Sequence, residues 1–238
     1  MDPGRLLAPL ADAPERSAIL LDVDGTLAPM ASRPELAEVP EETRAEVRRL
    51  AQRYALVACI SGRTGAEVST LVGVEGVVYV GVHGLELEPE AQRWREELAA
   101  VAAEPWPYLV EDKGLTVAFH YREAPDEDEA RGALEQVAVR ARELGLVPTF
   151  GRKVLEVRPP VEANKGTAVR RLLSARGLRR ALYAGDDTTD LDAFGGLDGL
   201  EVAIRVAVAS AEGPRELRDA ADVVVDSPAE LVRLLQMI

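Results

Sequence analysis

The runs Ala18 to Leu21, Leu56 to Ile60, Val77 to Val80 and Ala181 to Ala184 are apolar along nearly their whole length, without an exposed polar face. A strand of that kind has to be covered on both sides, and segments with helical spacing lie between the runs. The combination predicts a parallel sheet with helices on each face, an α/β doubly wound (Rossmann-like) core. Helices are expected from about Pro40 to Arg53, from Thr64 to Leu71, from Lys165 to Ala175 and around Asp190 to Phe194. Further strands should run from Glu201 to Val208 and from Asp222 to Val225, with a last helix opened by Ser227-Pro228, where Ser is an N-cap and Pro suits the first turn.

Between about Leu85 and Pro160 the pattern changes. Leu115 to Tyr121 alternates like a half-exposed strand, Asp126 to Leu144 has helical spacing with an acidic start, and Val154 to Val157 is a further short strand. This reads as an inserted α+β domain with an antiparallel sheet, returning through Pro159-Pro160. The expected division is therefore residues 1–84 and 161–238 as the core, and 85–160 as the insert.

The first apolar run leads into Asp22-Val23-Asp24-Gly25-Thr26-Leu27. In an extended segment residues two apart point to one side, so Asp22 and Asp24 would repel, and would draw in a divalent cation or share a proton. Gly25 lets the chain turn sharply. Ser61-Gly62-Arg63 follows the second run, Gly185-Asp186-Asp187-Thr188-Thr189-Asp190 follows the fourth, and Lys165-Gly166 opens a helix. Ligands of open α/β sheets bind beyond the carboxyl ends of the strands, so these four segments can converge.

Composition narrows the function. A formal net charge of -13 argues against nucleic acid or an anionic membrane as partner. A phosphorylated ligand would therefore need local cations, and among 28 basic residues only Lys113, Lys153 and Lys165 are lysines. No stretch approaches the about 18 apolar residues of a membrane span, and Asp2, Asp12 and Glu15 interrupt any signal-peptide layout, so a cytoplasmic location is expected. The single cysteine, Cys59, lies inside a strand-like run and reads as a packed core thiol rather than a nucleophile.

Taken in order, the four segments resemble the motifs of the haloacid dehalogenase superfamily of phosphohydrolases. With Gly81-Val82-His83-Gly84, Lys153-x-x-Glu156 and the phrase Glu111-Asp112-Lys113-Gly114-Leu115 leading into Ala118-Phe119-His120-Tyr121-Arg122, the chain is similar to trehalose-6-phosphate phosphatases from about residue 16 to 235. The resemblance implies Asp22 as nucleophile, forming an aspartyl-phosphate, and Asp24 as general acid and base. Ser61 and Lys165 would stabilise the transferring phosphoryl group. Mg²⁺ would be held by Asp22, Asp24 (through its carbonyl) and Asp186, supported by Asp187 and Asp190. The insert would act as a cap over the sugar, with Gly62, Arg63, His83, Lys113, Lys153 and Glu156 binding substrate; Arg63 could instead pair with a nearby acid. A sugar phosphate is the implied ligand, and functional coupling to a trehalose-6-phosphate synthase the implied partnership.

Two positions depart from the family pattern: Leu191 stands where a Glu commonly follows the last Asp of the fourth motif, and Asn164 where an Asp often precedes the motif Lys. Sucrose phosphate, mannosyl-3-phosphoglycerate and glucosyl-3-phosphoglycerate are alternative substrates for the same cap type. A non-catalytic sugar-phosphate sensor and a phosphomutase are alternatives of other classes.

Overall fold

A computed structural model describes residues 3–31, 33–209 and 213–238. The chain divides into two compact units, one running to Gly84 and resuming at Ala163, the other spanning Leu85–Glu162. In chain order the first contains α1 (Pro3–Ala11), β1 (Ala18–Leu21), α2 (Glu41–Arg53), β2 (Leu56–Ile60), α3 (Gly65–Val72) and β3 (Val78–Val80). The second unit then contributes α4 (Arg95–Ala102), β4 (Val110–Asp112), β5 (Val117–His120), α5 (Glu127–Glu143), β6 (Val147–Gly151) and β7 (Val154–Arg158). The first resumes with α6 (Lys165–Ser174), β8 (Arg180–Gly185), α7 (Thr189–Gly196), β9 (Val202–Val208), α8 (Arg215–Ala220), β10 (Val223–Val225) and α9 (Pro228–Leu235).

The six strands of the first unit form one parallel sheet in the order β10-β9-β8-β1-β2-β3. Every residue of β1 and β2 is buried, as expected of strands covered on both faces. The first three strands advance in one direction from β1, and the last three advance in the other from β8. The strand order therefore reverses between β1 and β8, the place where such sheets bind ligands. Leu21 pairs with Cys59 of β2 and Ala184 of β8, so the next residues along these strands emerge at one edge.

Local signals set the helix starts that matter. Thr64 and Glu67 form a reciprocal capping box on α3. On α6, Asn164 Oδ1 accepts from Thr167 N at 2.8 Å and Thr167 Oγ1 accepts from Asn164 N at 3.0 Å. Asn caps a helix as well as Asp does, so the departure at 164 keeps the cap that aims Lys165 and removes only a charge.

The second unit is a four-stranded antiparallel sheet, β4-β5-β7-β6. Val117, Phe119, Leu155 and Val157 form its core with Leu98 and Val101 of α4 and Leu134, Ala138 and Ala141 of α5. The opposite sheet face carries the row Glu111, Ala118, Glu156, Thr149, which follows from the register. Helices α1, α4 and α8 and strands β4 and β6 were not anticipated from sequence. β4 and β6 are edge strands, with at most half their residues turned to a core, so their apolar pattern is diluted.

Candidate active site

Asp22, the first residue beyond β1, donates its backbone N–H to Ala184 O at 2.9 Å and so keeps the sheet's register one step further. The chain then folds back: Thr26, Leu27 and Ala28 all direct their N–H groups at Val23 O. The strand has ended by here, and each carboxylate meets its own cation, Asp22 with Lys165 and Asp24 with Arg63. Gly25 makes the turn possible twice over, since its φ is +81° and a Cβ there would lie 2.0 Å from Asp186 Oδ2.

A buried network surrounds Asp22. Lys165 Nζ donates to Asp22 Oδ1 at 2.8 Å and to Asp190 Oδ1 at 2.7 Å, with Lys165 only 2% and Asp190 0% exposed. Tyr183 OH also donates to Asp190 Oδ1, at 2.7 Å, while the backbone N–H groups of Asp186 and Asp187 reach Asp190 Oδ2 at 2.9 and 3.0 Å. Asp190 is thus an anchored anion accepting four bonds, and Leu191 after it does not disturb them. Thr26 Oγ1 joins Asp186 Oδ1 at 3.2 Å to Asp22 Oδ2 at 3.5 Å.

Charge is unbalanced here. Burial pushes the Asp22 carboxyl well up; Lys165 opposes that shift and Asp190 adds to it. Burial and then Asp190 raise Asp186 to about 6. Burial disfavours the charged form of Lys165, yet Asp22 and Asp190 outweigh it and hold the ammonium above the usual lysine value. Burial likewise acts upward on Asp187, but Lys165 and the hydrogen bonds from Thr189 leave it below the usual carboxylate value. Lys165 thus faces Asp22 and Asp190 directly and Asp187 at longer range, with Asp186 beside them.

That imbalance is the fit test for a divalent ion. Asp22, Asp186 and Asp190 each offer an oxygen, all within 4.8 Å of one another. Carboxylate oxygens suit a hard cation, and Asp190 accepts two bonds at each oxygen, one of them from Lys165. Of the acidic residues expected as a metal group, Asp22, Asp186 and Asp190 are brought together, whereas the Asp24 carboxylate lies on Arg63 and that of Asp187 on Thr189.

The turn after β2 completes this edge. Ser61 is 2% exposed, and its Oγ accepts from Arg63 N at 3.2 Å. Arg63 donates to Asp24 from Nε and Nη2, each at 2.7 Å. His83 N donates to Ser61 O at 2.9 Å, and a Cβ on Gly62 would lie 2.7 Å from His83 Nε2. The His83 ring therefore packs directly on the Ser61-Gly62-Arg63 turn.

Lys113, Lys153 and Glu156 belong to the second unit. Glu156 lies in the open-face row with Glu111 and Thr149, and Lys113 pairs with Glu111 at 3.3 Å. His120 Nε2 lies 3.4 Å from the same Glu111. Lys153 is elsewhere: it occupies the tight β6–β7 turn with φ +61° and its ammonium contacts Glu127 at 2.6 Å. Lys153, in the turn, and Glu156, three residues on in β7, are both substrate-binding candidates by resemblance, and the Lys153 ammonium is engaged by Glu127. Tyr183 is a site residue that sequence reasoning missed, since a tyrosine in an apolar strand reads as core. Cys59 is buried, and burial drives its thiol pKa up, as expected of a core thiol.

Residues 20–110 and 107–224 match the family model described as trehalose-phosphatase. A trehalose-phosphate phosphatase of Mycolicibacterium paratuberculosis is 34% identical over 222 residues, covering 79% of this chain and 54% of that protein. The chain thus spans about half the length of that curated relative. The C-terminal domain of Candida albicans trehalose-6-phosphate phosphatase shares the fold, with TM-score 0.70 at 23% identity over 100% of this chain and 96% of that one. An Aspergillus fumigatus trehalose-6-phosphate phosphatase structure aligns with TM-score 0.64 at 25% identity, covering 100% and 97%.

Proposed function

The chain belongs to the trehalose-phosphatase family, and on that premise we propose that it is a Mg²⁺-dependent phosphatase converting trehalose 6-phosphate to trehalose and inorganic phosphate. The observation that carries this reading is Asp22, a buried carboxylate at the strand-order reversal, held by Lys165 at 2.8 Å. Phosphate monoester hydrolysis is slow because anions must approach anions, and its catalysis rests on positioning and charge neutralisation.

A carboxylate oxygen of Asp22 attacks phosphorus, and the bond from phosphorus to the sugar oxygen breaks as Asp24 gives that oxygen a proton. Water then attacks the aspartyl-phosphate, Asp24 takes its proton, and phosphate leaves with Asp22 restored. Lys165 neutralises the nucleophile, and the Ser61 hydroxyl donates to a phosphoryl oxygen. A Mg²⁺ ion held by Asp22 and Asp186, with the Asp24 carbonyl as the family implies, would supply the remaining neutralisation of the phosphoryl oxygens.

The second unit is proposed as the substrate-selecting cap. Glu156, Glu111 and Lys113 on its open face combine acceptors with a donor, as sugar hydroxyls require; Lys153 and His83 have other contacts and are secondary candidates. No helix among the described residues is long and apolar enough to cross a membrane. A cytoplasmic site of action, with a synthase supplying the ester, completes the proposal.

Phosphate release, with Mg²⁺ and with EDTA, measured across trehalose 6-phosphate, sucrose 6-phosphate, glucose 6-phosphate and the two glycosyl-glycerate phosphates tests it. Strong preference for trehalose 6-phosphate, abolished by EDTA, is the expected result. Metal-dependent release from another ester would overturn the substrate, and no release from any would favour a sensor.

Metal binding should also depend on pH. The ion has to displace the proton that Asp186 holds up to about pH 6, so affinity should weaken by up to about tenfold per unit below that value. Without metal the sign is opposite: folded Asp186 holds its proton more tightly than the unfolded chain does, so this group favours the folded state increasingly as pH falls from about 7 towards 4. The Mg²⁺-induced rise in melting temperature should be larger at pH 8 than at pH 5. Asp186→Asn should remove the rise, whereas Asp190→Asn should retain it in a less stable protein; equal rises at both pH values would contradict this assignment.

A further inference from the structure

Arg63 sits beside Ser61, where the family pattern suggests a phosphate ligand, but its bonds point to a different task. Nε donates to Asp24 Oδ2 and Nη2 to Asp24 Oδ1, both at 2.7 Å. Nη2 also reaches Pro34 O at 3.0 Å, which ties the turn after β2 to the connection between β1 and α2. Two parallel bonds from a rigid planar fork fix both the place and the plane of a carboxylate, which a point charge cannot do.

Asp24 needs such a hold. It precedes Gly25, with φ +81°, and belongs to a turn rather than to the sheet. The ion pair is part exposed, with 19% of the Arg63 side chain and 33% of the Asp24 side chain accessible. Whatever it adds to stability, the bidentate fork fixes geometry. General acid catalysis requires hydrogen-bond reach to the leaving oxygen, and a misplacement of about 1 Å can lower rate about a hundredfold.

Building on the phosphatase reading above, we propose that Arg63 is a positioning residue that orients Asp24 for proton transfer to the leaving sugar oxygen, rather than a ligand of the substrate phosphate. The two roles separate by leaving group. A sugar alkoxide has to be protonated as it departs, whereas p-nitrophenolate leaves as the anion.

The experiment compares Arg63→Lys and Arg63→Gln with the native enzyme on trehalose 6-phosphate and on p-nitrophenyl phosphate. The quantity read is kcat/KM, which reports phosphoryl transfer for both esters, together with inhibition by inorganic phosphate. Both variants should lose about 30-fold to 100-fold on the sugar ester, within the span of general acid effects. On the aryl ester the loss should be at least tenfold smaller, and phosphate should inhibit about as strongly as before. The residual aryl-phosphate rate, with the melting temperature, shows that the fold persists. If Arg63→Lys restores the sugar ester rate, or if both esters lose equally while phosphate inhibition weakens, Arg63 is a phosphate ligand and the proposal fails. Absence of turnover of either ester by the native enzyme would overturn the phosphatase reading and this proposal with it.

Discussion

Asp22→Asn should lower phosphate release by about 10⁴-fold or more if Asp22 is the nucleophile as proposed, because effects of groups acting as a unit are not additive. The fold should survive. Asn is nearly isosteric, its carbonyl oxygen can still accept from Lys165, and it removes a carboxylate whose pKa burial has pushed well up. An ionised Asp22 therefore costs stability above its folded pKa, and the variant should melt at the same temperature as the native protein or higher, most clearly at pH 8. Such a gain is common where an active site holds an unfavourable charge. Phosphate release and thermal melting on the same preparation check both parts. Turnover within tenfold of native would eliminate Asp22 as nucleophile, and a large drop in melting temperature would show that its charge supports the fold.

Lys165→Met should be the most damaging change to stability. Lys165 lies between Asp22 and Asp190 at 2.8 and 2.7 Å, all three nearly excluded from water. Removing one member of a buried ion-paired set typically costs about 3–5 kcal/mol, because the remaining charges stay buried without compensation. The deficit should depend on pH in a definite direction. The folded Asp22 carboxyl already binds its proton more tightly than the unfolded chain does, and loss of the ammonium strengthens that preference. The variant's deficit should therefore shrink as pH falls from 8 towards 5 and grow above that range. Activity should fall with the stability, since neither Asp22 nor the phosphoryl group is then neutralised. Denaturant unfolding at pH 5 and pH 8 gives the comparison. A deficit independent of pH would mean that packing, not charge, dominates the loss.

Much of this was legible from residue pattern. The two-sided apolar runs identified the parallel sheet, because only strands covered on both faces can be so uniformly apolar. The change of character after Leu85 identified an insert, since β5 alternates where β1 and β2 do not. That Asp22, Ser61 and Asp186 stand at strand ends and Lys165 at a helix start was legible from the apolar runs and the turn residues beside them. The edge strands β4 and β6 were hidden by their half-exposed composition, and α4 by its weak amphipathicity.

The partners of the individual carboxylates were not legible. Asp22 and Asp24 are two residues apart, but the reversal at Val23 sends one to Lys165 and the other to Arg63. The resemblance implied Asp186 as metal ligand and Asp190 as its support; the structure adds that Asp190 accepts bonds from Lys165, Tyr183 and two backbone N–H groups. Lys153 read as a sugar-binding cation, and the structure shows its ammonium against Glu127. The sequence alone determined which elements form and which chemical groups stand at their ends, because periodicity, capping and turn residues act over a few positions. Only the tertiary structure decided which cation meets which anion, since that depends on contacts between residues up to 143 positions apart, and at about 3 Å separation those contacts set the charge and reach of every group in the site.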